Sequence, residues 1–134
     1  IDEANKKNGC LRIIRGSHKN RRLRKHNTVN DKKFTLHQVL DPREYDEVDA
    51  VDLELKRGQI SLHDVYLLHG SKANESSKSR RGMTLRYMPT TSVFDRKVAN
   101  ELHENLGVVN HSERSLFLMR GIDESNLNDF RLRL

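Results

Sequence analysis

The clearest alternation of apolar and polar positions sets Val51, Leu53 and Leu55 against Asp52, Glu54 and Lys56. Side chains on a strand point to opposite faces in turn, so this stretch reads as a half-buried strand with one wet face. Lys56-Arg57-Gly58-Gln59 is a turn, and residues 60–69 beyond it are richer in apolar side chains. The two stretches are therefore expected as a hairpin or as neighbouring strands. An uninterrupted pleat puts His63, Val65, Leu67 and His69 on one face, and a bulge moves one histidine to the other. Met83, Leu85 and Tyr87 alternate with Thr84 and Arg86, which predicts a further amphipathic strand ended by Pro89. Short apolar strands are also expected at 10–14, stopped by Gly16-Ser17, and at 116–121. Phe34, Leu36, Val39 and Leu40 form a weak apolar patch before Asp41-Pro42, which breaks any regular element. The period changes after residue 95, where Val98, Leu102 and Leu106 are spaced by four. That spacing predicts a short helix near 95–106, with Asp95 as N-cap and Gly107 just past its end.

Five short strands separated by Gly, Asn and Ser turns, with one helix, predict a mainly β, antiparallel architecture: a sandwich or a barrel-like roll. At 134 residues the chain is expected to be a single domain or part of one. It is 34% hydrophobic and 33% charged, so the core is modest for the length and the surface heavily charged. No apolar run approaches the roughly 18 residues that span a bilayer, which argues against membrane partners. The opening Ile1-Asp2-Glu3-Ala4 lacks signal-peptide character, and the missing initiator Met is expected of a chain that starts inside a longer protein. A single cysteine, Cys10, permits no internal disulfide and fits a reducing, cytoplasmic setting.

The net charge of +6 raises a nucleic-acid reading, supported by the basic run Lys19-Asn20-Arg21-Arg22-Leu23-Arg24-Lys25-His26. Against it stand three Tyr, four Phe and no Trp, too few for stacking, and no nucleic-acid-binding motif. A solvated basic loop, or a preference for small anionic substrates, explains the charge as well. The alternative is kept as a non-catalytic β-sandwich or roll that binds an acidic partner through residues 19–26.

Two residues carry the candidate chemistry. His69 ends the apolar stretch, where an imidazole can act as a metal ligand, though packing or capping is the commoner role for such a histidine. Arg80 follows eleven residues later at the mouth of the next expected strand. Its planar fork can take a carboxylate with two parallel hydrogen bonds. Arg81 is its neighbour, and only one of the pair faces a given side of a strand. A two-histidine, one-carboxylate iron site needs a His-x-Asp/Glu partner, and His111-Ser112-Glu113 is the only such triplet, lying in a polar loop downstream. Ser71 has no nucleophile elbow around it, and phosphate-binding glycine loops are absent.

Asn8-Gly9-Cys10-Leu11, followed by Gly16-Ser17-His18, resembles the Asn-Gly…Gly-Ser-His segment of the phytanoyl-CoA dioxygenase family. Ser61-Leu62-His63, His69-Gly70-Ser71, Asn74, Ser76, Arg80-Arg81-Gly82 and Arg86-Tyr87-Met88-Pro89 resemble that family's distal motif in the same order. Met119-Arg120-Gly121 with Asp123 is similar to a C-terminal segment of some members. The resemblance implies a double-stranded β-helix (jelly-roll, cupin-like) that uses Fe(II), 2-oxoglutarate and O2 to hydroxylate a small-molecule substrate. By the same resemblance His69 is the distal iron ligand, and Arg80 anchors the far carboxylate of 2-oxoglutarate, with Arg81 as the fallback. Ser71 and Asn74 belong to the co-substrate loop and shape the turn between them. The family's proximal His-x-Asp lies upstream of the Asn-Gly segment, so the chain is expected to be the C-terminal half of such a domain. It is accordingly expected to bind iron weakly by itself. The position that separates hydroxylases from related halogenases is not among these residues.

Overall fold

In a computed structural model, residues 1–29, 31, 38–106 and 108–130 are described. The expectations placed on Phe34, Leu36 and Gly107 lie outside the described residues. The chain divides into two compact units, one of residues 1–28 and 38–84, the other of residues 29–37 and 85–134.

The first unit is built on antiparallel sheets. Strand β1 (Leu11–Ile14) lies at the centre of a three-stranded sheet, between β4 (Ala50–Leu53) and β5 (His69–Ser71). A separate ribbon pairs β2 (His26–Thr28) with β3 (Gln38–Leu40). Residues directly opposite on antiparallel strands share a face, and the register pairs Leu11 with Leu53 and Ile13 with Val51. These four half-buried aliphatics make one face of the sheet apolar. On the other face Arg12 meets Asp52 at 3.1 Å and also grips Glu47, from the 3-10 turn Glu47–Asp49 that leads into β4. The alternation at 51–55 thus reads out as predicted, with Leu55 extending the pairing through a bridge to Ala4.

Three other strand expectations are corrected. The stretch 60–68 neither forms a strand nor pairs with β4; β1 lies between β4 and β5. Asp64 is the physical reason. Its carboxylate accepts the Tyr66 N–H at 2.8 Å and its carbonyl accepts Leu67 N–H at 3.1 Å, a local turn that competes with any ladder. Ordered pairing resumes only at His69. Residues 83–87 and 116–121 are not strands either, and Met83, Leu85 and Tyr87 are exposed. Alternation prepares a strand, but a ladder needs a partner, and among the described residues these stretches have none.

In the second unit α1 (Arg96–Leu106) forms where the period change predicted it. Asp95 caps it, its carboxylate accepting the Val98 N–H at 3.0 Å. Around it the unit is held by polar clasps. Arg96 donates to the carbonyls of Ser112 and Arg114 at 2.5 and 2.8 Å. Asn128 donates to the Ser92 carbonyl and accepts the Phe94 N–H, each at 2.8 Å. No helix among the described residues is long and apolar enough to cross a membrane. Among the described residues the fold is mainly β, with antiparallel sheets and one α-helix.

Candidate metal and anion site

His69 opens β5 and sits opposite Ile13 in the register, two places from the Leu11–Ser71 pair. His69 and Ser71 therefore lie on the apolar face of the sheet, with Gly70 on the other. The His69 side chain is exposed there. Its Nδ1 is 2.7 Å from the Leu67 carbonyl oxygen, which can only accept, so Nδ1 carries the proton. In that tautomer Nε2 keeps its lone pair, and it makes no hydrogen bond among the described residues. A metal-binding histidine has this same arrangement, one ring nitrogen donating to a carbonyl and the other free to ligate. The ring centroid of His63 lies 5.0 Å from that of His69 at a tilt of 56°.

The adjacent arginines have opposite situations. Arg81 is committed to Asp2: its fork meets the carboxylate at 2.8 and 3.1 Å, and its backbone N–H adds a third bond at 2.9 Å. Those bonds hold the Asp2 carboxyl down at about 2. Arg80 has no hydrogen bond or ion pair among the described residues, and it is exposed. Its charge reaches the buried Cys10, whose thiol is pushed up by burial and by Asp52 and Glu54, with Arg80 opposing. Between the two, Arg80 is the guanidinium available to an added carboxylate. Sequence reasoning had no means to find the Arg81–Asp2 pair, which joins positions 79 residues apart.

Ser71 is exposed on the same face as His69. Asn74 uses both ends of its amide within its own loop. It donates to the Lys78 carbonyl at 2.7 Å and accepts from the Ser76 N–H and hydroxyl at 2.9 and 2.8 Å. That arrangement shapes the turn between His69 and Arg80. His111-Ser112-Glu113 falls in the second unit, where burial, with Arg114 and Arg86 nearby, depresses the His111 pKa.

Among the described residues no three His, Cys, Asp or Glu side chains gather as a metal cage. His69 by itself fits a metal through Nε2, one donor of the set an iron site requires. The basic run is also less free than its composition implies. Glu44 engages both Arg22 and Arg24, and Asp41 lies 3.9 Å from Lys25.

Comparisons with known proteins bear on these same segments. The chain is 32% identical over 90 residues to a phytanoyl-CoA dioxygenase domain-containing protein 1 homolog of Dictyostelium discoideum, covering 66% of this chain and 32% of that protein. It is 36% identical over 90 residues to phytanoyl-CoA dioxygenase 1 of Oryza sativa subsp. japonica, covering 67% and 31%. A probable alpha-ketoglutarate-dependent hypophosphite dioxygenase of Stutzerimonas stutzeri is 32% identical over 90 residues, covering 65% and 31%. The chain thus spans about a third of the length of the curated relatives it matches. No solved structure matches it. The profile of the phytanoyl-CoA dioxygenase (PhyH) family matches residues 1–82, which hold the Asn8-Gly9 and Gly16-Ser17 segments, β5 and the paired arginines, and the chain belongs to that family.

Proposed function

We propose that this chain carries part of an Fe(II)/2-oxoglutarate-dependent dioxygenase site, set in part of a double-stranded β-helix. His69 holds the iron through Nε2, and Arg80 pairs with the far carboxylate of 2-oxoglutarate. Ser71 stands beside the histidine, and Asn74 fixes the loop that carries the chain from one to the other. Iron with 2-oxoglutarate and oxygen supplies the oxidising chemistry that hydroxylates an unactivated carbon. This chain contributes a fixed imidazole and a cation that orients a dicarboxylate. Two further protein donors complete such a site.

The observation that carries this reading is the His69 geometry: an exposed imidazole on an apolar sheet face, with Nδ1 tied to the Leu67 carbonyl and Nε2 open. Family membership and the relative named for alpha-ketoglutarate dependence support it. The acidic-partner reading loses ground because Glu44 and Asp41 already engage Arg22, Arg24 and Lys25.

Calorimetric titration of the chain with Co(II), and then with 2-oxoglutarate, tests the assignment. Weak Co(II) binding is expected, lost in His69→Ala. Added 2-oxoglutarate should tighten it in wild type and in Arg81→Ala, but not in Arg80→Ala. Co(II) binding that ignores His69→Ala, or a 2-oxoglutarate effect that depends on Arg81 alone, would refute it.

A further inference from the structure

β5 is only three residues long, and among the described residues β1 is its one strand partner. So short a ladder gives little resistance to sliding or fraying, yet it carries His69 on the apolar face of the sheet. The residues on either side of β5, Leu68 and Lys72, are each met by a glycine-containing turn.

At the first end, Gly16 adopts φ 74° and the Ser17 N–H closes a turn onto the Ile14 carbonyl at 3.3 Å. The Ser17 hydroxyl then donates to that same carbonyl at 2.8 Å and accepts the Leu68 N–H at 2.9 Å. It stands between two backbone groups that would otherwise pair directly, while Ile14 N–H donates to the Leu68 carbonyl at 3.0 Å. At the other end, Asn5 and Asn8 cap each other's backbone and deliver Gly9 at φ 73°. A Cβ on Gly9 would lie 2.5 Å from the Lys72 carbonyl oxygen and 3.2 Å from that of Ala73. Only glycine permits both the left-handed conformation and that approach. The Glu75 N–H bonds the Lys7 carbonyl at 3.0 Å, fixing the same junction.

We propose that Gly9 and Ser17 are positioning residues for His69, clamping the residues before and after β5 so that the imidazole keeps Nδ1 on the Leu67 carbonyl and leaves Nε2 its lone pair. This builds on the reading of His69 as a metal ligand, but the clamp concerns the ring itself and can be judged without metal. The Ser17 hydroxyl acts on Leu68, the residue between His69 and the carbonyl of Leu67 that its ring bonds. Loss of that hydroxyl frees the backbone on which the ring bond depends.

The test is imidazole 15N NMR of the full 134-residue chain at a pH where His69 is neutral, alongside amide exchange. Wild type should show His69 in one tautomer, with Nδ1 protonated. Ser17→Ala should give averaged or broadened His69 nitrogens and roughly tenfold faster exchange at Leu68, in line with one lost hydrogen bond. Ser17→Thr, which keeps the hydroxyl, should restore both. Gly9→Ala should disturb His69 in the same way. Protection of the Ile13 and Val51 amides, which face each other across β1 and β4, reports whether the β1–β4 ladder survives, so a variant that unfolds is recognised and Ser17→Ala against Ser17→Thr decides. An unchanged His69 tautomer in Ser17→Ala, with Leu68 exchange accelerated, overturns the proposal and leaves the hydroxyl a strand-end cap. Ni(II) added to wild type separates the two readings. If it leaves His69 signals untouched, the ligand assignment fails while the tautomer result still judges the clamp.

Discussion

The two units of this chain are held together by different physics. In the first, aliphatic side chains meet across a hydrogen-bonded ladder: Leu11 on Leu53, Ile13 on Val51, with Arg12 and Asp52 paired on the reverse face. In the second, the described contacts are dominated by polar clasps from Arg96 and Asn128, and the apolar stripe Val98, Leu102 and Leu106 of α1 is exposed. Apolar residues recur at regular spacing in both. What differs is whether the backbone beneath them finds a partner. The candidate site lies on the unit with the ladder, where a side chain's face and register are defined.

That contrast predicts its largest effect in a pair of truncations. Ile13→Ala removes a half-buried side chain that sits opposite both Val51 and His69, and should cost about 1–2 kcal/mol in urea unfolding. Leu85→Ala, at a side chain 63% exposed, should change stability by less than about 0.5 kcal/mol. Equal costs would mean that residues 85–87 pack as the β1–β4 ladder does. A smaller effect belongs to the second unit. Asp95→Ala removes the cap on the Val98 N–H and should cost about 1 kcal/mol, seen as lost helical circular dichroism at 222 nm. Asp95→Asn should retain most of the signal.

The smallest effect comes from the Arg81–Asp2 pair and shows only in acid. Asp2 is held at about 2 in the fold against an ordinary 3.8, so its contribution is present above about 4 and fades as pH falls toward 2. Arg81→Ala should remove that part of the acid sensitivity, whereas Arg80→Ala should leave the acid limb of the melting curve unchanged. A loss of stability in Arg80→Ala at neutral pH would contradict its freedom from structural partners.

Local patterning made β1, β4 and α1 legible because each is written into consecutive residues. Residues 60–68 are apolar enough to suggest a strand, but Asp64 organises a turn through both its carboxylate and its carbonyl. β2 and β3 carry no period-two signal, since His26-Asn27-Thr28 is polar throughout and pairs through its backbone. His69 and Arg80 stand out by type and spacing, whereas the pairing of Arg81 with Asp2 is visible only in the structure. The two glycine turns were visible as motifs, but their closeness to the ends of β5 depends on contacts more than 50 residues apart in sequence, from Ser17 to Leu68 and from Gly9 to Lys72.

The central claim is that His69 is the metal-binding imidazole of this chain. Titrating the 15N-labelled chain with substoichiometric Mn(II) and following all seven histidine rings tests it most directly. His69 should broaden first, with its close neighbour His63 next, and His69→Ala should abolish the selective broadening. Uniform broadening across the histidines, or a first response at His18, His26 or His103 that survives His69→Ala, would contradict it.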